Sequence, residues 1–282
     1  MMEFLARLVP ARWRRGVPVV PVVRLTGAIG AVTPFRPGLT LAAVAKVLER
    51  AFTVRGAKAV ALVINSPGGS AVQSRQIFLR IRQLATEKNL PVLVFVEDAA
   101  ASGGYMIACA GDEIFCDPSS ILGSIGVVGA TFGFQDLMRR IGVERRVYTA
   151  GERKVTLDPF LPENPDDVAR LKAIQRDIHA VFIALVKERR GTRLKGGEDE
   201  LFSGEFWAGE RAVALGLADA IGDLRGVLHA RFGDKVVTPV VAPQGGLLAL
   251  LSRRSRADAV NGLPDAALSA LEARALWARY GL

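Results

Sequence analysis

The chain has 282 residues, half of them apolar and 23% charged, with a formal net charge of +9. This is a globular composition, long enough to bury the core of one large domain or two small ones. No apolar run is long enough to span a bilayer as a helix, and the two cysteines, Cys109 and Cys116, fit no common zinc or CxxC spacing.

Residues 1–16 set Arg7, Arg12, Arg14 and Arg15 beside Phe4, Leu5, Leu8 and Trp13. This basic amphipathic stretch has two readings: a solvated terminus, or a peripheral contact with an anionic membrane. It lacks the long apolar core and cleavage site of a secretory signal. The arginines are scattered and not interleaved with aromatics, so no nucleic-acid partner is expected. "VPVVPVVRL", from Val17 to Leu25, is short and carries Pro18 and Pro21, so it reads as an extended entry into a strand.

Strand and helix patterns then alternate. "LTLAAVAKVLERAF" has apolar residues at helical spacing, and "AKAVALVINSPGG" reads as a strand buried on both faces that ends in a turn. "SAVQSRQIFLRIRQLATEKN" is helical, with Ile77, Ile81 and Leu84 on one face. "LPVLVFVED" is another buried strand, followed by a helix after Ser102 and a short strand "DEIFCD". "SSILGSIGVVGATFG" reads as a glycine-punctuated loop, "FQDLMRRIG" as a helix and "VERRVYT" as a strand. A long helix runs from Asn164 to Arg190, with Asn164 as N-cap and Pro165 in its first turn. Its apolar face is Leu171, Ile174, Ile178, Val181, Phe182, Leu185 and Val186. "GERAVALGLADAIGD" is helical, and the tail from Gly245 suggests two short amphipathic helices. The alternation predicts an α/β fold with a mainly parallel sheet.

Ser102 lies in "EDAAASGGYMIACAGDEIF", with almost no bulk on either side. A serine hydroxyl is a poor nucleophile unless a base sits within hydrogen-bond reach. His179 and His229 occupy ordinary helical settings, so a Ser–His–Asp triad has no support. A lysine is the other candidate base, but it must be neutral to accept a proton, which burial or neighbouring donors promote. Lys154 differs from most lysines here because it follows a glycine turn and precedes an apolar stretch with few acids; a solvated loop lysine is the plainer reading. Backbone amides of Gly68 and Gly69, in "NSPGGS", are candidates for an oxyanion hole at a strand-to-helix turn. Successive small-residue turns, "SPGGS" and "AASGGY", would meet at one edge of a parallel sheet, where α/β proteins carry their sites.

In this order, "INSPGG", "AASGGY", "ILGSIGVVG" and "AGERK" resemble the signal peptide peptidase A (SppA/SohB) family of serine peptidases, which shares its core with the ClpP and crotonase proteins. "FSGEFWAGERAVALGLADAIGDL" resembles that family's closing motif. The resemblance spans roughly residues 19 to 228. It implies a repeated ββα superhelical core, placed at residues 17–242; the amphipathic tail read from the residues is then an appended helical C-terminal arm over 243–282. It implies a Ser–Lys dyad: Ser102 as nucleophile, Lys154 as general base, and Ser124 as the hydroxyl that holds the lysine amine. Gly68 and Gly69 match the oxyanion turn, and Ser66, Pro67, Gly103 and Gly104 the flanking substrate-binding positions.

No metal or other cofactor is implied. The expected partners are a peptide or unfolded-protein substrate and further copies of the chain, in a ring that could be an octamer, with the lysine supplied by the same or a neighbouring subunit. Members of the family typically begin with a membrane anchor, and none is seen here. The expectation is therefore a cytoplasmic protein, with peripheral contact at the inner membrane as its one membrane link. Two competing readings are a crotonase-like acyl-CoA enzyme, which would need paired carboxylates, and a non-catalytic oligomeric scaffold.

Overall fold

The structure, a computed structural model, describes residues 17–30, 38–151, 153–243 and 274–282. The basic stretch over 1–16 and most of the predicted C-terminal arm lie outside the described residues. In chain order the elements are β1 (Val22–Thr26), α1 (Leu41–Phe52), β2 (Val60–Ser66), α2 (Ala71–Lys88), β3 (Val92–Ala101), α3 (Gly103–Ala108), β4 (Glu113–Cys116) and β5 (Ile121–Gly123). There follow α4 (Gln135–Arg140), α5 (Pro165–Arg190), α6 (Glu198–Leu201), β6 (Phe206–Ala208), α7 (Gly209–Ala214), β7 (Ala220–Ile221) and α8 (Leu224–Phe232).

The sheet order is β1-β2-β3-β4-β7, all parallel. β3 is the longest strand and uses one edge twice: Leu93–Val96 pair with β4, then Ala99–Ala101 pair in parallel with β5. β6 adds to β5 as the one antiparallel strand among the described residues. The free edge of β1 is covered by the returning chain, with the Val20 and Val22 amides donating to the Val237 and Pro239 carbonyls. This removes an exposed strand edge.

Period-2 alternation explains how the strands are buried on both faces. Val60, Leu62 and Ile64 of β2, with Val92, Val94 and Val96 of β3, face a core shared with α1, α2 and α3. Ala61, Val63, Leu93 and Phe95 face the opposite way, onto Phe115 and Leu228 of α8. Each fully buried Leu, Ile or Phe contributes ~1.5–3 kcal/mol, which sets one register for each strand. The helices are closed by local caps, of which the sequence predicts Asn164. Thr40, Ser70 and Asn164 accept amide hydrogen bonds at the N-termini of α1, α2 and α5, and Asn89 closes α2 in the left-handed conformation.

Three expectations change. "VERRVYT" is not a strand: Val143–Thr149 is irregular and exposed, and among the described residues no strand lies beside it to satisfy its backbone. "SSILGSIGVVG" is not all loop, because Ile121–Gly123 pairs with the alanine end of β3 as β5. Along α5 the apolar stripe divides. Phe182, Leu185 and Val186 are buried, whereas Ile174, Ile178 and Val181 are 56%, 36% and 48% exposed. Among the described residues, no helix is long and apolar enough to cross a membrane.

Candidate active site

β3 does not stop at its acidic residues. It runs on through Ala99, Ala100 and Ala101, all fully buried, and ends at Ser102. Ser102 caps α3 with φ 52° and ψ −121°, a conformation that a non-glycine residue adopts only under strain. The turn is held from both sides: the Ser102 amide donates to the Gly123 carbonyl at 2.8 Å, and the Ser102 carbonyl accepts from the Met106 amide at 3.0 Å. A serine on a sharp strand-to-helix turn has its hydroxyl raised from the sheet edge, the geometry of a nucleophile elbow.

The small residues around Ser102 have a steric cause. A Cβ on Gly68 would lie 2.8 Å from the Ser102 Cβ and 2.9 Å from the Gly103 nitrogen. A Cβ on Gly103 would lie 2.2 Å from Ser74 Oγ, and one on Gly104 would lie 2.6 Å from the Ser66 carbonyl oxygen. Gly68 and Gly69 have φ of +99° and +140°, so the "SPGG" turn needs glycine for its backbone as well as for space. Ser66 is fully buried and its hydroxyl donates to the Gly27 carbonyl at 2.7 Å. The Gly68 amide donates to Ser66 Oγ at 3.2 Å. That amide is thus already engaged within the turn.

Ser124 stands at the end of β5, also with positive φ, 52°. Its amide donates to the Glu205 carbonyl at 2.6 Å, which ties it to the strand carrying Trp207. The Trp207 ring lies over Gly123, where a Cβ would come within 2.7 Å of ring carbons. Trp207 therefore packs against the residue whose carbonyl holds the Ser102 amide, giving the "FWAGE" motif a physical role at the site.

Ser102 and Ser124 open onto one cleft of about 800 Å³. Of the expected site residues, Pro67, Gly69, Ser102, Gly103 and Ser124 line it. Ser66, Gly68 and Gly104 lie behind the wall. Lys154 does not line the cleft; it is exposed, with its amide donating to the Gly151 carbonyl at 3.2 Å. No carboxylate lines the cleft among the described residues.

His179 was read from the sequence as an ordinary helical residue. It lines the cleft instead, with Nε2 2.9 Å from the Ile125 carbonyl oxygen. Neither its spacing nor its neighbours in sequence single it out, because α5 is distant from "GSIGV" along the chain. Gly204 and Phe206 also reach the cleft. Behind the site, Tyr105 donates to the Leu217 carbonyl at 2.8 Å, and Arg190 makes a two-pronged pair with Asp219 at 2.8 and 3.0 Å. Burial opposes the charge on Asp219, but the hydrogen bonds and positive charge of Arg190, the Ile114 amide and the charge of Arg193 together outweigh it and hold the carboxyl below the usual range. Burial pushes the Cys109 thiol up to about 12 and the Cys116 thiol up to about 11, so both are packed, inert thiols.

The family model described as Peptidase family S49 matches residues 85–233, more than half of the chain. The chain belongs to peptidase family S49. A relative from Brucella abortus (strain 2308), named Na(+)/H(+) antiporter NhaA, is 55% identical over 99% of this chain and 39% of its own length. "Probable protease SohB" of Haemophilus influenzae is 29% identical over 72% of this chain and 56% of its own length. The chain thus spans less than two thirds of either relative. Among solved structures, the 1510-N membrane-bound stomatin-specific protease, a lysine-to-alanine mutant with a substrate peptide, aligns with a TM-score of 0.49 at 17% identity. That alignment covers 84% of this chain and 99% of the other.

Proposed function

We propose that this S49 chain is a serine endopeptidase that cleaves unfolded or membrane-derived peptides through a Ser102–Lys154 dyad. The observation that carries the reading is the strained turn at Ser102, which lifts one hydroxyl into a glycine-cleared cleft opposite Ser124. In this reading Ser102 Oγ attacks the scissile carbonyl while Lys154 Nζ takes its proton. The oxyanion is stabilised by backbone amides of the Gly68–Gly69 turn, with the Gly69 amide the better placed because Gly68 already serves Ser66. Lys154 returns the proton to the leaving amine, and water activated by the same amine hydrolyses the acyl ester on Ser102. Ser124 Oγ orients the lysine without adding charge.

A lysine amine is a base only when neutral, and removal from water favours the neutral form. Lys154 is exposed in the single chain, so this mechanism requires another surface to cover it. The segment that carries it exposes Phe132, Leu137, Ile141, Val143, Val147 and Tyr148, the kind of apolar surface that marks an interface. A homo-oligomer in which the lysine of one copy serves the serine of the next meets both needs. A match over 99% of this chain, within a longer protein named as an antiporter, supports a working place beside a membrane. The absence of a carboxylate among the described cleft residues disfavours the acyl-CoA alternative.

The deciding experiment is labelling by a fluorophosphonate probe, with mass spectrometry of the adduct and turnover of an unfolded protein substrate. Modification at Ser102, lost in Ser102→Ala, is the expected result. Full turnover by both Ser102→Ala and Lys154→Ala would reject the dyad.

A further inference from the structure

The cleft is not bordered by the core alone. Leu276, Arg279 and Tyr280, from the helical turn and tail over 274–282, line the same cavity as Ser102 and Ser124. The Tyr280 hydroxyl lies 3.2 Å from Ser124 Oγ and 3.4 Å from the Pro67 carbonyl oxygen. Its ring meets Phe206 edge-on, with centroids 4.9 Å apart and planes at 83°. Leu276, Trp277 and Tyr280 are half-buried while Arg279 and Gly281 are exposed, and of the three it is Tyr280 whose polar atom reaches Ser124 and Pro67. The turn that presents it is closed by the Tyr280 amide donating to Trp277 and the Gly281 amide donating to Ala278.

We infer that Ser124 Oγ, the Pro67 carbonyl and the Phe206 ring form a docking site for the chain's own 274–282 segment, anchored by Tyr280. The site takes a phenol: its ring needs an aromatic wall and its hydroxyl needs an oxygen pair at one end. The consequence for the enzyme rests on the Ser–Lys reading. Ser124 Oγ is the atom that would orient the lysine amine, and the phenol already sits on it. A docked segment and a productive lysine therefore compete for one hydroxyl, and the same segment fills cleft space that a peptide must cross. Docking makes the site latent, and displacement by substrate or by an arriving lysine opens it.

Binding is measured first, because it needs no catalysis. A fluorescent synthetic peptide with the sequence of residues 274–282 is titrated into the full chain carrying Tyr280→Ala and Ser102→Ala. Saturable binding is expected. It should weaken about three- to tenfold when the peptide tyrosine is replaced by phenylalanine, or when Ser124→Ala is added, as loss of one neutral hydrogen bond implies. No binding, or equal binding by the phenylalanine peptide, overturns the docking site. Activity is measured second, in the full chain with Ser102 intact. Tyr280→Ala should raise the rates of Ser102 labelling and peptide turnover about three- to tenfold, with Tyr280→Phe in between. Unchanged or lower rates overturn the latency. If the peptide binds but Lys154→Ala keeps full activity, the docking site stands and the dyad falls.

Discussion

The half of the molecule that carries Ser102 and the segment that carries Lys154 are built by opposite rules. Around Ser102 nearly everything is buried: Ala99, Ala100, Ala101, Tyr105, Met106 and Ile107 are all within 2% of full burial. From Gly129 to Tyr148 the chain is exposed almost throughout, with Phe132 at 77% and Tyr148 at 90%. A nucleophile needs a fixed position, which packing within one chain supplies. A lysine base needs dryness, which an exposed segment does not supply by itself. In the proposed Ser–Lys reading, the serine half would be complete in one copy and the base half would be completed by contact with another.

The largest effects should come from removing the two halves. Ser102→Ala is expected to lower turnover by about 10⁴-fold or more without loss of fold, as for other activated serines. Lys154→Ala should be similarly inactive. Mixed and reassembled, the two inactive variants should recover measurable activity, because some contacts would then join an intact serine to an intact lysine. Recovery tests the comparison directly, and none after verified mixing would place the lysine in the same chain.

Next in size is the support behind the site. Asp219→Asn leaves the buried Arg190 without its charge partner, and equilibrium unfolding should show a loss of about 3–5 kcal/mol. The pair's contribution is complete above the ordinary carboxylate range and falls away as the pH drops through the lowered value of Asp219. Wild type and Asp219→Asn should thus converge in stability toward acid pH. A constant gap would show that Asp219 matters only by packing.

A smaller effect is expected at His179. Its bond to the Ile125 carbonyl holds the turn that follows Ser124, so it acts as a positioning residue. His179→Ala should lower kcat about tenfold with KM little changed, as loss of one hydrogen bond at a precise turn implies. His179→Gln, which keeps a donor, should recover part of the loss. A matching rise in KM would argue for a substrate-binding role instead.

The smallest change should come from a single substitution on the exposed segment. Leu137→Asp leaves the core untouched but puts a charge among the exposed apolar residues of the 129–148 stretch. Sedimentation should show weaker self-association, and activity should depend more steeply on protein concentration. Unaltered association would move the contact elsewhere.

The strand and helix pattern was legible in the sequence because it is a local and repeated signal. Alternating apolar residues set both faces of β2 and β3, and Asn164 with Pro165 marked the start of α5. The clearing around Ser102 was legible too, since small residues in succession have few uses. Other features depend on distant partners. "VERRVYT" has strand composition, but a strand exists only where another strand accepts its hydrogen bonds, and among the described residues none lies beside it. β5 is short and glycine-flanked, and it becomes a strand because the alanine end of β3 has an open edge. The chain alone determined which residues have the chemistry: a cleared serine, glycine amides, a second serine and an unusual lysine. Tertiary structure decided which of them meet. Folding brought Ser102, Ser124, His179 and Tyr280 to one cleft from four separate stretches and left Lys154 outside it, because burial is settled by what packs against a residue and not by its neighbours in sequence.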